Sequence, residues 1–282
     1  MLTIEGEIMY GKIIREIRLN KGLALKEVYA GICSKTNAIK FEKGERNLAV
    51  DKFSKVLENL MITFEEFKWI KDKYQPTKQV YYQQEIKKFW NENNIENVEK
   101  KIQEIESNIQ GIERIQIASF KLLKDYERKK DYSKQELDLV VEYFSKLSQW
   151  TIGDIKFFAN NCYVIPYQIM LNLLTESLKV SNRYKYFQNS NLIFATVITN
   201  CVERMIWNQD YDNARKYLKV MKNYTSGSIM IGYKLMEKYY EAELEYLDGD
   251  AKLGRKQLIE VKKTAKYLDA QTIIRYVDEL IG

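Results

Sequence analysis

Two prolines and twelve glycines in 282 residues leave this chain few places to turn sharply or to stop a helix. An all-β fold of that length needs many turns, and turns draw heavily on those two residues. Long runs of helix formers fill the space between the sparse breaks, so the chain is expected to be all-α. Its length suits about two domains. At 45% apolar and 13% aromatic residues it can bury a sizeable core, and a charged fraction of 30% suits a soluble chain. The most apolar stretch, Cys162 to Leu174, is broken by Pro166, Gln168 and Asn172 and is too short to span a bilayer.

The chain has no histidine, which excludes Ser-His-Asp and Cys-His catalysis, HExxH zinc sites and Cys2His2 fingers. Cys33, Cys162 and Cys201 are far apart, odd in number and without CxxC spacing, which reads as reduced thiols in a cytoplasmic protein. The first residues are acidic where a signal peptide is basic, and residues 1–9 read as a short extension. Gly6 and Gly11-Lys12 share the spacing of a phosphate loop, but Ile13 stands where that loop needs Ser or Thr and no strand precedes it. Lysine, tyrosine or carboxylate catalysis stays open by residue type, yet no motif supports it. No enzyme, metal or cofactor is expected.

The stretch Gly22 to Arg46 carries the most information. Helices are expected over 10–19, with Tyr10, Ile14 and Ile17 inward, then over 25–30 and 34–43. Ser34 can cap the third, Ala38 and Phe41 face inward, and Lys35, Thr36, Asn37 and Lys40 face outward. Two short helices joined by a tight turn, the second with a polar outer face, form a helix-turn-helix DNA reader. From Tyr10 to Arg46 nine Lys and Arg face four Glu, a local excess of +5 in a chain whose total is +6. Thr36 and Asn37 are expected to read bases, while Lys35 and Lys40 either read guanine or hold phosphate. Lys12, Arg15, Lys43 and Arg46 are expected on phosphates, giving salt-sensitive affinity. The same residues could instead form a solvated helix face.

A fourth helix over 51–60 presents Phe53, Val56, Leu57 and Leu60, and Thr63 to Glu66 fits a capping box that opens a fifth, carrying Phe67 and Ile70. The segment Tyr74-Gln75-Pro76-Thr77 marks a boundary, dividing a helix-turn-helix domain, 1–74, from a second domain, 75–282. A helix with Tyr82, Ile86, Phe89 and Trp90 follows, closed by a polar break at 91–94. Further helices are expected over 95–108, 112–129, 134–149, 152–163, 167–180, 189–208, 211–223, 228–247, 250–267 and 270–281. Breaks are expected at 129–133, Gly153, 208–210 and 248–250. Residues 207–218 line up with 247–258 at a shift of 40, placing Asp210 on Asp250, Ala214 on Gly254 and Leu218 on Leu258. Small residues there let paired helices approach, as in a tetratricopeptide-like α-solenoid.

On these residues the chain resembles the Rgg family of Gram-positive regulators. The motifs are Tyr10-Gly11-Lys12 with Arg15 and Arg18, Ser34-Lys35-Thr36, Phe41-Glu42-Lys43-Gly44 and Glu66-Phe67. Farther on, Trp150, Ile155, Phe157-Phe158 and Asn160-Asn161 look like the family's mid-chain signature. The resemblance implies a homodimeric transcription factor on a near-palindromic promoter site, controlled by a short signalling peptide held in the repeat domain. By resemblance to repressor-type domains, Arg18 and Glu42 form a structural ion pair. Two departures stand out: Tyr29 replaces a small Ala at the helix contact, and Ala38-Ile39 replaces a large apolar residue followed by Ser. Ile39 then either meets a thymine methyl or packs.

For the peptide, the concave surface is the expected site, with Asn161, Asn200 and Arg204 as candidates because amide side chains both donate and accept. Tyr167, Tyr233 and Glu237 are further candidates. The competing reading is a helical-repeat protein-interaction scaffold without sequence-specific DNA binding.

Overall fold

The computed structural model describes residues 9–76, 78–91, 94–106, 112–128 and 131–282. Most of the expected extension, Gly6 with it, lies outside the described residues. So do Thr77, residues 92–93 of the polar break, residues 107–108, residues 129–130 and the side chains of Phe89 and Trp90. Among the described residues there are sixteen α-helices and two 3-10 segments, and no strand. Contacts divide the chain between Asn94 and Ile95 into two units.

The first unit holds α1 (Met9–Asn20), α2 (Leu25–Tyr29), α3 (Lys35–Lys43), α4 (Val50–Asn59), α5 (Phe64–Lys71) and α6 (Lys78–Asn91). Ser34 caps α3 by accepting the Asn37 backbone N–H at 3.3 Å, and Thr63 caps α5 by accepting that of Glu66 at 3.0 Å. Ile14, Val28, Ala38, Phe41, Val56, Leu57 and Leu60 form the centre of the core. The Phe53 ring makes edge-to-face contacts with Phe41, Phe64 and Phe67. Tyr10, expected inward, is 38% exposed, its ring lying on Phe53 and Phe67 at the margin of the core. Tyr29 is accommodated by burial, its ring edge-on to Phe41.

Gly11 explains how α1 reaches α3. A Cβ at that position would lie 1.7 Å from the Phe41 carbonyl oxygen, so the two backbones approach as only glycine allows.

The second unit begins with α7 (Ile95–Glu106), α8 (Ile112–Glu127) and α9 (Lys134–Ser145), followed by α10 (Ile152–Asn161) and α11 (Tyr167–Lys179). It continues with α12 (Ser190–Trp207), α13 (Tyr211–Met221), α14 (Ile231–Asp248), α15 (Ala251–Tyr267) and α16 (Gln271–Ile281). Several boundaries differ from expectation. The helix expected to reach residue 149 ends at Ser145, and Gly153 lies inside the first turn of α10 rather than in a break. The cause is a capping box: Thr151 and Asp154 exchange bonds and start the helix there, with the Tyr143 hydroxyl also donating to Asp154. Likewise a 3-10 turn, Ser228–Met230, precedes α14 where continuous helix was expected.

Helix α12 packs on its neighbour α13, and α14 on α15, while α16 closes the series against α15 and α14. First helices of successive pairs also touch one another: α10 meets α12, α12 meets α14, and α14 meets α16. They form the inner row of a tetratricopeptide-like array. The 40-residue echo is structural. Asp210 caps α13 and Asp250 caps α15, while Ala214, Gly254, Leu218 and Leu258 are all buried at the pair contacts. A Cβ on Gly254 would sit 2.3 Å from the Tyr246 backbone nitrogen, so α14 and α15 touch through that glycine.

Candidate functional site

In the first unit, α3 has two unlike faces. Ala38, Phe41 and Glu42 are buried, whereas Lys35, Thr36, Ile39 and Lys40 are exposed. Exposure of Ile39 at 37% keeps its side chain available for contact outside the core. Apart from Ile39 the face is polar and cationic, the composition a helix needs to enter a major groove.

Beside it, Lys12, Arg15, Glu16, Leu19 and Asn20 of α1 and Glu42 and Lys43 of α3 line a groove of about 440 Å³. Three cations on its rim suit it to a phosphate backbone. Arg46 is placed differently. Its Nη1 donates to Asn37 Oδ1 at 2.6 Å, tying the turn after α3 to the helix's first turn.

Arg18 and Glu42 are both buried and make a two-pronged ion pair. Nε to Oε1 is 2.7 Å and Nη2 to Oε2 is 2.6 Å. Nη1 of Arg18 also donates to the Leu23 carbonyl at 2.9 Å, so one guanidinium braces α1, α3 and the turn between α1 and α2. The hydrogen bond from Arg18 to Glu42 raises the arginine pKa further.

In the second unit the six expected ligand residues fall into four places. Asn161 is fully buried: Nδ2 donates to the Phe157 carbonyl at 2.7 Å, and Oδ1 has no partner among the described residues. Asn200 Nδ2 donates to the Ala159 carbonyl at 3.0 Å and Arg204 Nη1 donates to that of Cys162, so both tie α12 to the end of α10. Those three residues meet at one junction. Tyr167 donates to Asp210 at 2.6 Å, Tyr233 shares a 2.6 Å hydroxyl contact with Thr196, and Glu237 is fully buried, accepting from Thr225 and Lys234. Tyr167, Asn200, Arg204 and Tyr233 keep partly exposed side chains.

A further cluster was not singled out from residue types. Glu203, Ile206 and Trp207 of α12, Tyr239, Tyr240 and Glu243 of α14, and Tyr276, Glu279 and Leu280 of α16 line a cavity of about 230 Å³ on the inner row. The Tyr163 hydroxyl donates to Glu203 at 2.6 Å. Burial pushes the Glu203 carboxyl up, against the pull of the Tyr163 and Tyr276 hydroxyls. Burial pushes Glu243 up to about 7, the Tyr239 hydroxyl opposing and the Glu203 charge adding. The signal lay in the repeat: the shift of 40 that superposes Asp210 on Asp250 also superposes Glu203 on Glu243.

Among the described residues no helix is long and apolar enough to cross a membrane. A helix-turn-helix unit followed by tetratricopeptide-like helix pairs defines a class of helical regulator. The family profile described as "HTH-type transcriptional regulator Rgg, C-terminal domain" matches residues 69–279, and the chain belongs to that family. The fold is shared with a Listeria monocytogenes EGD-e protein described as a transcriptional regulator. That protein is 23% identical with a TM-score of 0.81 over 96% of this chain and 95% of that one. The SHP pheromone receptor Rgg2 of Streptococcus dysgalactiae is 18% identical, TM-score 0.77, over 96% and 97% of the two chains. PrgX in its complex with cCF10 is 20% identical, TM-score 0.67, over 96% and 98%. At these identities the likeness is one of fold.

Proposed function

We propose that this chain is a cytoplasmic, homodimeric transcriptional regulator that grips promoter DNA through α3 and is controlled by a short signalling peptide held on the inner row of its repeat unit. The observation that carries the DNA half is the division of α3, with its apolar side and Glu42 enclosed and Lys35, Thr36, Ile39 and Lys40 presented outward. Lys12, Arg15, Ser34, Lys43 and the Asn37–Arg46 pair flank that face and hold the duplex in register. Two such helices, one per protomer, would sit about 34 Å apart on a near-palindromic site.

The peptide half draws support from relatives: Rgg2 is described as a pheromone receptor, and PrgX is described in complex with cCF10. Here Tyr167, Asn200, Arg204 and Tyr233 are the expected residues within reach of a ligand, while Asn161 and Glu237 act from behind by fixing the helices. Peptide binding would shift the balance between repeat-unit arrangements and so the DNA affinity. No chemical step is required of the protein.

The test is anisotropy with labelled genomic promoter fragments. Wild type should bind a subset selectively and lose affinity steeply with salt, and the K35A/T36A/K40A variant should lose selectivity. Unselective binding by both would favour the scaffold reading.

A further inference from the structure

The cavity between α12, α14 and α16 combines features that a packing defect does not. Its walls are rings, from Trp207, Tyr239, Tyr240 and Tyr276. Glu203 and Glu243 enter it from neighbouring inner helices, and Glu279 stands on its third wall. Among the described residues, no Lys or Arg forms an ion pair with Glu203 or Glu243; their bonded neighbours are tyrosine hydroxyls. Arg275 lies over the Tyr276 ring and 3.8 Å from Glu279, leaving the other two carboxylates without a cation.

Carboxylates set among aromatic rings attract a cation through charge, and a cation that settles over a ring face gains from its quadrupole as well. The volume, about 230 Å³, is below the roughly 300–1,000 Å³ that whole drug-sized ligands occupy, so it suits the head of one side chain. We propose that this cavity receives the guanidinium or ammonium head of a basic side chain, making the repeat unit selective for peptides that carry one. The assignment presupposes the peptide control proposed for this unit and specifies the peptide's chemistry. A bound cation also gives Glu243, pushed up to about 7 by burial, the counter-charge it lacks.

Trp207 on the cavity wall supplies the readout. N-acetyl-argininamide, which has no α-ammonium, is titrated into the full-length protein and compared with N-acetyl-citrullinamide, its neutral near-isostere. The arginine compound should quench Trp207 saturably, the citrulline compound should not, and W207F should abolish the signal. E203Q/E243Q should bind at least tenfold more weakly. Equal affinity for the two compounds, or unchanged affinity in E203Q/E243Q with its thermal transition intact, would overturn the assignment.

A second arm separates this from peptide control itself. Randomised N-acetylated octapeptide pools with a single arginine, or with citrulline in its place, are passed over immobilised protein. Enrichment of the arginine pool alone supports both ideas. Equal enrichment keeps peptide binding and removes the cation pocket. Retention of neither pool, with N-acetyl-argininamide still binding, keeps the pocket and removes the peptide.

Discussion

Arg46, three residues past the end of α3, donates to Asn37 at the first turn of the same helix across 2.6 Å. Adenine readout by an asparagine uses both ends of its amide, and here Oδ1 is already held. Arg46 is therefore placed to orient Asn37, the side chain expected to read bases, instead of serving as the phosphate contact expected of it. R46A should change base preference next to the Asn37 contact while leaving the salt slope of log K nearly intact. K12A should lower that slope by about one and leave preference unchanged. Anisotropy titrations at several salt concentrations on a set of single-base operator variants check both.

The Arg18–Glu42 pair makes a stability prediction. Removing either partner strands a buried charge, so R18M and E42Q should each destabilise the first unit by about 3–5 kcal/mol. R18M/E42L should recover much of that loss, because two matched apolar groups leave no charge behind. Urea unfolding of the three variants tests the cycle, and a double variant as unstable as either single one would contradict it.

Gly11, Gly254 and Gly232 should respond differently to alanine. At the first two a Cβ meets backbone at 1.7 and 2.3 Å, whereas nothing lies within 4 Å of one built at Gly232. G11A and G254A should cost about 1–3 kcal/mol or more through overpacking. G232A, in the first turn of α14, should be neutral or stabilise by at most about 1 kcal/mol. Thermal melts rank the three.

Glu243 predicts a pH dependence. Its carboxyl is pushed up to about 7 in the folded protein from an ordinary value of 4.5, so in that window the folded state holds a proton that the unfolded state has released. Stability must then fall as pH rises from 4.5 to 7 and level off above it. E243Q should remove this slope, raising Tm at pH 8 and hardly changing it at pH 4.5. Melting curves across that range decide the matter, and equal gains at both ends would assign the effect to packing.

Much of this molecule was legible along the chain. Capping residues such as Ser34, Thr63, Asp210 and Asp250 act on backbone groups two or three positions away, so local spacing located the helix starts. The repeat register was legible too, since Ala214 and Gly254 mark equivalent helix contacts. Where local reading failed, a second local signal had won: Thr151 and Asp154 start α10 through Gly153.

The sequence by itself determined the all-helical class, the helix order, the divided face of α3 and the small residues at the pair contacts, because each rests on periodicity or on neighbours within a turn. Only the tertiary structure decided what the long-range polar groups do. It turned Arg46 onto Asn37, committed Asn200 and Arg204 to backbone carbonyls of α10, and gathered Glu203, Glu243 and Tyr276 around one cavity from three separate helices. The reason is physical: a side-chain hydrogen bond or a buried carboxylate is defined by what lies across from it, and helix packing alone supplies that partner.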